Sequence, residues 1–162
     1  MKINWRSGST GTSRRIDEMI EIKVTQDYDK LVPFFIENGL EFSEDEPTPT
    51  DLVKCWAAEE EGRLVGGFVL AKRDGEFICD GIAVDPALRG QDLGRGLLRI
   101  GIEETIARGG SRMYLVARAP GFFRREGFRA VAREEAPNFF ECLTCDQYGV
   151  SCHPEVMVKE LA

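Results

Sequence analysis

The chain has a single histidine, no apolar run near the roughly 20 residues a membrane span needs, and fewer basic side chains (21) than acidic ones (28). Each shortage excludes something. With His153 as the only imidazole, a catalytic base elsewhere must be a carboxylate or water. Without a long apolar run, nothing points to a membrane partner. The net charge of −7 opposes a phosphate backbone, and the Lys and Arg residues are scattered, so nucleic acid is not the expected partner. Residues 1–18, MKINWRSGSTGTSRRIDE, lack the apolar centre and small-residue cleavage site of a secretory leader, which predicts a soluble, cytoplasmic protein. Five cysteines are an odd number, and in a reducing compartment they do not form a disulfide framework.

What remains is ordinary for a globular domain. At 162 residues, 43% of them apolar, the chain can close one core without a metal or disulfide. Residues 1–18 read as a flexible arm and residues 19–162 as one domain. Ile20, Ile22 and Val24 alternate with charged residues as in a strand, and residues 28–39 show helical spacing interrupted by Pro33. A polar segment at 43–51 follows. Three apolar runs at 52–58, 64–71 and 77–84 are separated by Glu61-Gly62 and Asp74-Gly75, turn sequences that predict an antiparallel meander. From Leu93 the pattern predicts a helix burying Leu98, Ile102 and Ile106 and ending at Gly109-Gly110. A strand at 113–116, a short helix at 122–126 and strands at 128–131 and 156–161 complete a mixed α/β order.

Chemistry concentrates at 81–104, GIAVDPALRGQDLGRGLLRIGIEE, where a strand passes through a Gly- and Arg-rich turn into a helix. The first N–H groups of a helix lack internal partners, and the helix dipole favours an anion before them. The junction is therefore a candidate phosphate site.

Ala-Val, Asp-Pro, Arg-Gly-Gln-x-x-Gly and an apolar helix together resemble motif A of the GNAT acetyltransferases, and GFFRREGF at 121–128 is similar to that family's short helix ending in Gly-Phe. The resemblance spans 19–162. It implies a mostly antiparallel twisted sheet of about six to seven strands, splayed at the cofactor site and flanked by helices. It also implies acetyl-CoA as cosubstrate, held by Ile82, Ala83, Val84, Arg89, Gly90, Gln91, Asp92, Leu93, Gly94, Arg95 and Phe122. In this frame Asp92 stands where the family's first motif glycine falls, and a frame shifted to 91–96 restores both glycines. The implied reaction acetylates a primary amine. The implied cofactor groove lies between the strands at 77–84 and 113–116.

Many members protonate the leaving thiolate with a tyrosine on the short helix, and here that position is Phe123, which has no proton to give. For the base, Asp80 and Glu76 lie on one side of the central strand, Asp80 ahead because it sits among apolar neighbours. LVARAPGFFRREGF is similar to the corresponding segment of short N-acetylglutamate synthases, which implies a small amino-acid-like acceptor near Arg118 and Phe123. Protein or peptide amines, and a non-catalytic acyl-CoA-binding or redox-sensing domain, are the alternative readings, with a homodimer as the candidate assembly. Finally, the 133–155 loop holds Cys142, Cys145, Cys152 and His153, a donor set that suits zinc or an iron–sulfur group. A redox pair or reduced thiols are the competing readings there.

Overall fold

A computed structural model describes residues 2–4, 20–38, 51–88, 92–117, 120–132 and 155–161. In chain order the elements are β1 (Lys2–Asn4), β2 (Ile20–Thr25), α1 (Tyr28–Glu37), β3 (Leu52–Glu60), β4 (Arg63–Arg73), β5 (Glu76–Val84), a 3₁₀ turn (Pro86–Leu88), α2 (Leu93–Ala107), β6 (Arg112–Ala117), α3 (Pro120–Arg125), β7 (Arg129–Val131) and β8 (Glu155–Glu160). They form one sheet in the order β1-β2-β3-β4-β5-β6-β8-β7.

The sheet has eight strands where about six to seven were expected, and the addition is β1, whose Lys2, Ile3 and Asn4 pair antiparallel with Lys23, Ile22 and Glu21. Part of the expected arm is thus a sheet edge. Three residues carry too little pattern for periodicity to reveal a strand. The meander is as predicted: β3–β4 and β4–β5 turn through Glu61-Gly62 and Asp74-Gly75, all four residues at positive φ.

Helices lie on both faces. Against α1, Leu31 and Phe35 close over Gly67 of β4, where a Cβ would fall 3.0 Å from the Leu31 side chain. Against α2, the core gathers Trp56, Phe68, Leu70, Phe77, Leu97 and Leu98. The apolar stripe of α2 departs from the expected one. It runs through Leu93, Leu97, Leu98, Gly101 and Thr105, while Ile106 is 50% exposed. Its inner face is set by Phe68, which occupies the room that a side chain at 101 would need.

Candidate functional site

β5 is the strand on which the site is built. It pairs with β4 on one edge over nearly its whole length, but with β6 on the other only at Phe77↔Met113 and Ile78↔Tyr114. Beyond Ile78 the two parallel strands part, although β6 keeps pairing with β8 from Arg112 to Ala117. The parting exposes facing backbone N–H and C=O groups that another chain or a ligand must satisfy. A wedge-shaped gap results, its apex at Ile78 and Tyr114.

At the mouth stands the first turn of α2. Its first N-terminal bond of the helical kind runs from Gly96 N–H to the carbonyl of Asp92, at 2.9 Å, leaving the earlier amides without intrahelical partners. A Cβ on Gly94 would lie 3.6 Å from Phe122 and 3.7 Å from Val84. The sequence-predicted residues Val84, Gly94 and Phe122 are therefore brought together, with Leu93 buried beneath them. Asp92 adopts the left-handed region (φ 63°) as the cap of α2 and makes no side-chain capping bond. This is the conformation glycine takes most readily, in the position where the first frame expected a glycine. Arg95 is ion-paired with Glu126 at 3.1 Å, which ties the start of α2 to the end of α3. Arg89, Gly90 and Gln91 lie outside the described residues. The surroundings fit a pyrophosphate: the first amides of a helix, which have no partners within the helix itself, a glycine that leaves room, and a flanking aromatic ring.

Near the apex, the β4–β5 register slips, with Val69 opposite Gly81 and Leu70 opposite Cys79. Asp80 is the extra residue of this bulge, and such bulges re-aim side chains. Its carboxylate accepts two hydrogen bonds from the Arg73 guanidinium, at 3.1 and 3.2 Å, and Arg73 Nε donates to Asp51. Burial pushes the Asp80 carboxyl above its usual range, while Arg73 pulls it down and Asp51 pushes it up. Glu76, four residues back and on the same face, is engaged by Arg112 at 2.7 Å. Phe123 packs edge-on against Phe122 (5.0 Å between centroids) and Phe128 (5.8 Å), an aromatic cluster joined to the main core.

Cys55 and Cys79 are buried thiols, Cys55 pushed up to about 11 and Cys79 also upward, mainly by burial and further by Asp80. They are packing groups rather than nucleophiles at neutral pH. Arg118 and the candidate metal set Cys142, Cys145, Cys152 and His153 lie outside the described residues, and among the described residues no three potential metal ligands gather. No helix among the described residues is long and apolar enough to cross a membrane.

Two features escaped sequence reasoning: the bulge at Asp80, which no turn residue announces, and the guanidinium of Arg73 beside it. Arg73 precedes a hairpin turn and reads as a solvated strand end. Only the fold brings residues 51, 73 and 80 together.

Residues 51–130 match the family model described as an acetyltransferase (GNAT) domain. No curated protein is significantly similar to the chain. Among solved structures, an acetyltransferase of the GNAT family from Staphylococcus aureus Mu50 superposes with a TM-score of 0.69 at 19% identity, covering 88% of this chain and 99% of that one. An N-acetylglutamate synthase from Neisseria gonorrhoeae, complexed with coenzyme A and N-acetyl-glutamate, gives 0.68 at 20% identity, covering 88% of this chain and 35% of that one. The ribosomal-protein-S18-alanine N-acetyltransferase from Escherichia coli gives 0.65 at 19% identity, covering 89% and 95%. At these identities the likeness establishes the fold.

Proposed function

Because the chain carries a GNAT acetyltransferase domain and is an acyltransferase, we propose that it moves the acetyl group of acetyl-CoA to the primary amine of a small molecule, an amino acid being the first candidate. The observation that carries this reading is the parting of β5 from β6 beyond Ile78, with the α2 N-terminus at the mouth of the gap. The pyrophosphate would sit on the amides of Leu93 and Gly94 with Arg89, Gly90, Gln91, Asp92 and Arg95 around it. The pantetheine arm would follow Ile82, Ala83 and Val84 beside Phe122. From Val84 back to Asp80 is about 13 Å of strand, at about 3.3 Å per residue, so an arm entering at the mouth approaches the apex.

At the apex the chemistry needs an unprotonated amine. We assign Asp80, ahead of Glu76, as the base. Its carboxylate takes a proton from the acceptor's ammonium, the neutral nitrogen attacks the thioester carbonyl, and the C–N bond forms as the C–S bond breaks, the nitrogen losing its second proton to solvent. The thiolate then takes a proton from solvent, since Phe123 has none to give. An amino-acid acceptor is supported by the likeness to the synthase that holds N-acetyl-glutamate, with Arg118 as the candidate partner for its carboxylate and Phe123 beside it. A peptide amine is the second reading, favoured by the likeness to the ribosomal-protein enzyme.

Thiol release from acetyl-CoA, followed by mass analysis of the product, across amino acids, polyamines and short peptides tests both. Acetylation of at least one free amino acid or polyamine is expected. Turnover confined to peptides would replace the small-molecule reading with the second, and coenzyme A binding without turnover on any amine would leave a non-catalytic domain.

Asp92 offers a separate test of the cofactor position. Replacing it with Gly relieves a left-handed backbone that costs other residues roughly 1–2 kcal/mol, removes a helix-dipole partner worth about 0.3–1 kcal/mol, and so leaves the unliganded melting temperature little changed. The same change takes a negative charge from beside the pyrophosphate. Tighter coenzyme A binding by calorimetry, by several-fold at low salt and less at high salt, is expected. Weaker binding would show that Asp92 assists the site rather than opposing it.

A further inference from the structure

Building on the assignment of Asp80 as base, we propose that Arg73 is the positioning residue for that carboxylate, holding both its oxygens and fixing the direction in which it meets the acceptor. Asp80 sits at a bulge, so strand pairing does not anchor it as it anchors Cys79 against Leu70 or Gly81 against Val69. Something outside the ladder must hold its direction. The guanidinium does so with two nitrogens, Nη1 at 3.1 Å from Oδ1 and Nη2 at 3.2 Å from Oδ2.

The guanidinium is itself held. Its Nε donates to Asp51, and the Asp51 carbonyl in turn accepts the N–H of Lys72 at 3.1 Å, which locks Asp51 to β4 beside Arg73. A planar fork with donors on two edges can satisfy both carboxylates at once, whereas an ammonium group is a point charge on a flexible stem. Arginine is therefore required for its shape as well as its charge.

The groups facing Asp80 set where it titrates. From β4 there is Arg73 and from the approach to β3 there is Asp51, the two charges that act on it directly. The buried thiols Cys55 of β3 and Cys79 of β5 feel its charge and stay protonated. On the same face, Glu76 of β5 is neutralised by Arg112 of β6, which also lies over the Tyr114 ring. Arg73 is the cation that offsets burial, so its removal moves the acid limb of activity to higher pH.

The test compares the full chain with Arg73→Gln, Arg73→Lys and Asp51→Asn, using acetyl-CoA and whichever amine of the panel turns over fastest with the wild type. For Arg73→Gln, kcat is expected to fall by about 10²-fold, the scale of a misplaced reacting group. Its KM for acetyl-CoA should stay within about threefold, and the acid limb of kcat/KM should rise. Arg73→Lys should return the limb toward the wild-type position, because the charge is restored, while kcat stays depressed, because the fork is not. Asp51→Asn should act weakly and in the same direction on kcat. A merely structural ion pair predicts something else: lower melting temperatures, with kcat falling in proportion and the limb unmoved in every variant. That result would overturn the proposal. If Arg73→Gln does not fold, the split between kcat and limb in Arg73→Lys decides alone. Loss of activity in Asp80→Asn beside wild-type behaviour in Arg73→Gln would sink this inference and leave the base assignment standing. No thiol release by the wild type with any amine would remove both.

Discussion

Asp80→Asn is expected to lower kcat by about 10²- to 10⁴-fold, the range general-base catalysis contributes, with little change in coenzyme A affinity. Asparagine keeps the size of the side chain and one oxygen to accept from Arg73, so the bulge and one of the two bonds of the fork persist while the base is lost. The pH profile sharpens the test. Burial, the largest influence on Asp80, holds its carboxyl above the ordinary range, and only the ionised form accepts a proton. Wild-type kcat/KM should therefore rise with pH through a point above the value of an ordinary aspartate, about 3.9, and then level, whereas the variant should show no such limb. Glu76→Gln is the companion measurement. Its carboxylate is already engaged by Arg112 beside the hairpin, and a change of less than about threefold is expected, in keeping with a surface ion pair. Equal losses at both positions would remove the distinction between them.

The same residue gives a stability signature of known sign. A carboxyl whose folded pKa is raised contributes stability that is fully present below the unfolded value and lost as pH rises through the folded one. The melting temperature of Asp80→Asn relative to wild type should thus move in favour of the variant as pH rises from about 4, the value of an ordinary aspartate, through the raised value of Asp80 in the folded protein. An opposite trend would mean that the Arg73 ion pair, and not burial, dominates Asp80.

Much of this was legible in the sequence because local chemistry and tertiary structure agree along the meander and the α2 junction. Asp74-Gly75 predicts a tight turn and makes one, and Asp92, standing where the motif frame has a glycine, takes the left-handed backbone that suits glycine. The meander strands were short by one or two residues at their ends, since pairing extends into polar ends such as Lys72-Arg73 and Glu59-Glu60 that carry no apolar signal, whereas the ranges 128–131 and 156–161 each overran one end by a residue. The α2 stripe was misplaced because the large apolar residues at 102 and 106 outweighed a glycine and a threonine, yet the helix turns the small pair inward, Gly101 against Phe68 and Thr105 beside Gly110. Long-range polar contacts were illegible for a deeper reason. Nothing in the order Asp51, Arg73, Asp80 says that one guanidinium will bridge two carboxylates, because their adjacency depends on strand register and on a single bulge.

Gly101→Ala should destabilise the protein by about 2 kcal/mol, the middle of the overpacking range, where an exposed helical glycine would gain up to about 1 kcal/mol from the same change. The sign is decided by Phe68. A Cβ at 101 would stand 2.3 Å from its Cζ and 2.5 Å from its Cε1. The ring is fully buried and is held edge-on by Trp56, with centroids 5.7 Å apart, so it cannot swing aside without moving a second large side chain. Either the ring or the helix must shift. A fall in melting temperature of about 4–8 °C is expected from calorimetry, at about 2–4 °C per kcal/mol for a chain of this size. Combining it with Phe68→Leu should cost less than the sum of the two single changes by about 1 kcal/mol, because the methyl fills space that the ring vacates. Function reports the same displacement. Phe68 pairs across the ladder with Ile82, and α2 carries the amides of Leu93 and Gly94 at its start. A helix pushed away from β4 carries its N-terminus away from Val84, so Gly101→Ala should also weaken coenzyme A binding by roughly tenfold at a temperature where the variant is fully folded. Unchanged affinity beside the expected loss of stability would mean that the ring yields and the helix does not, leaving the cradle in place.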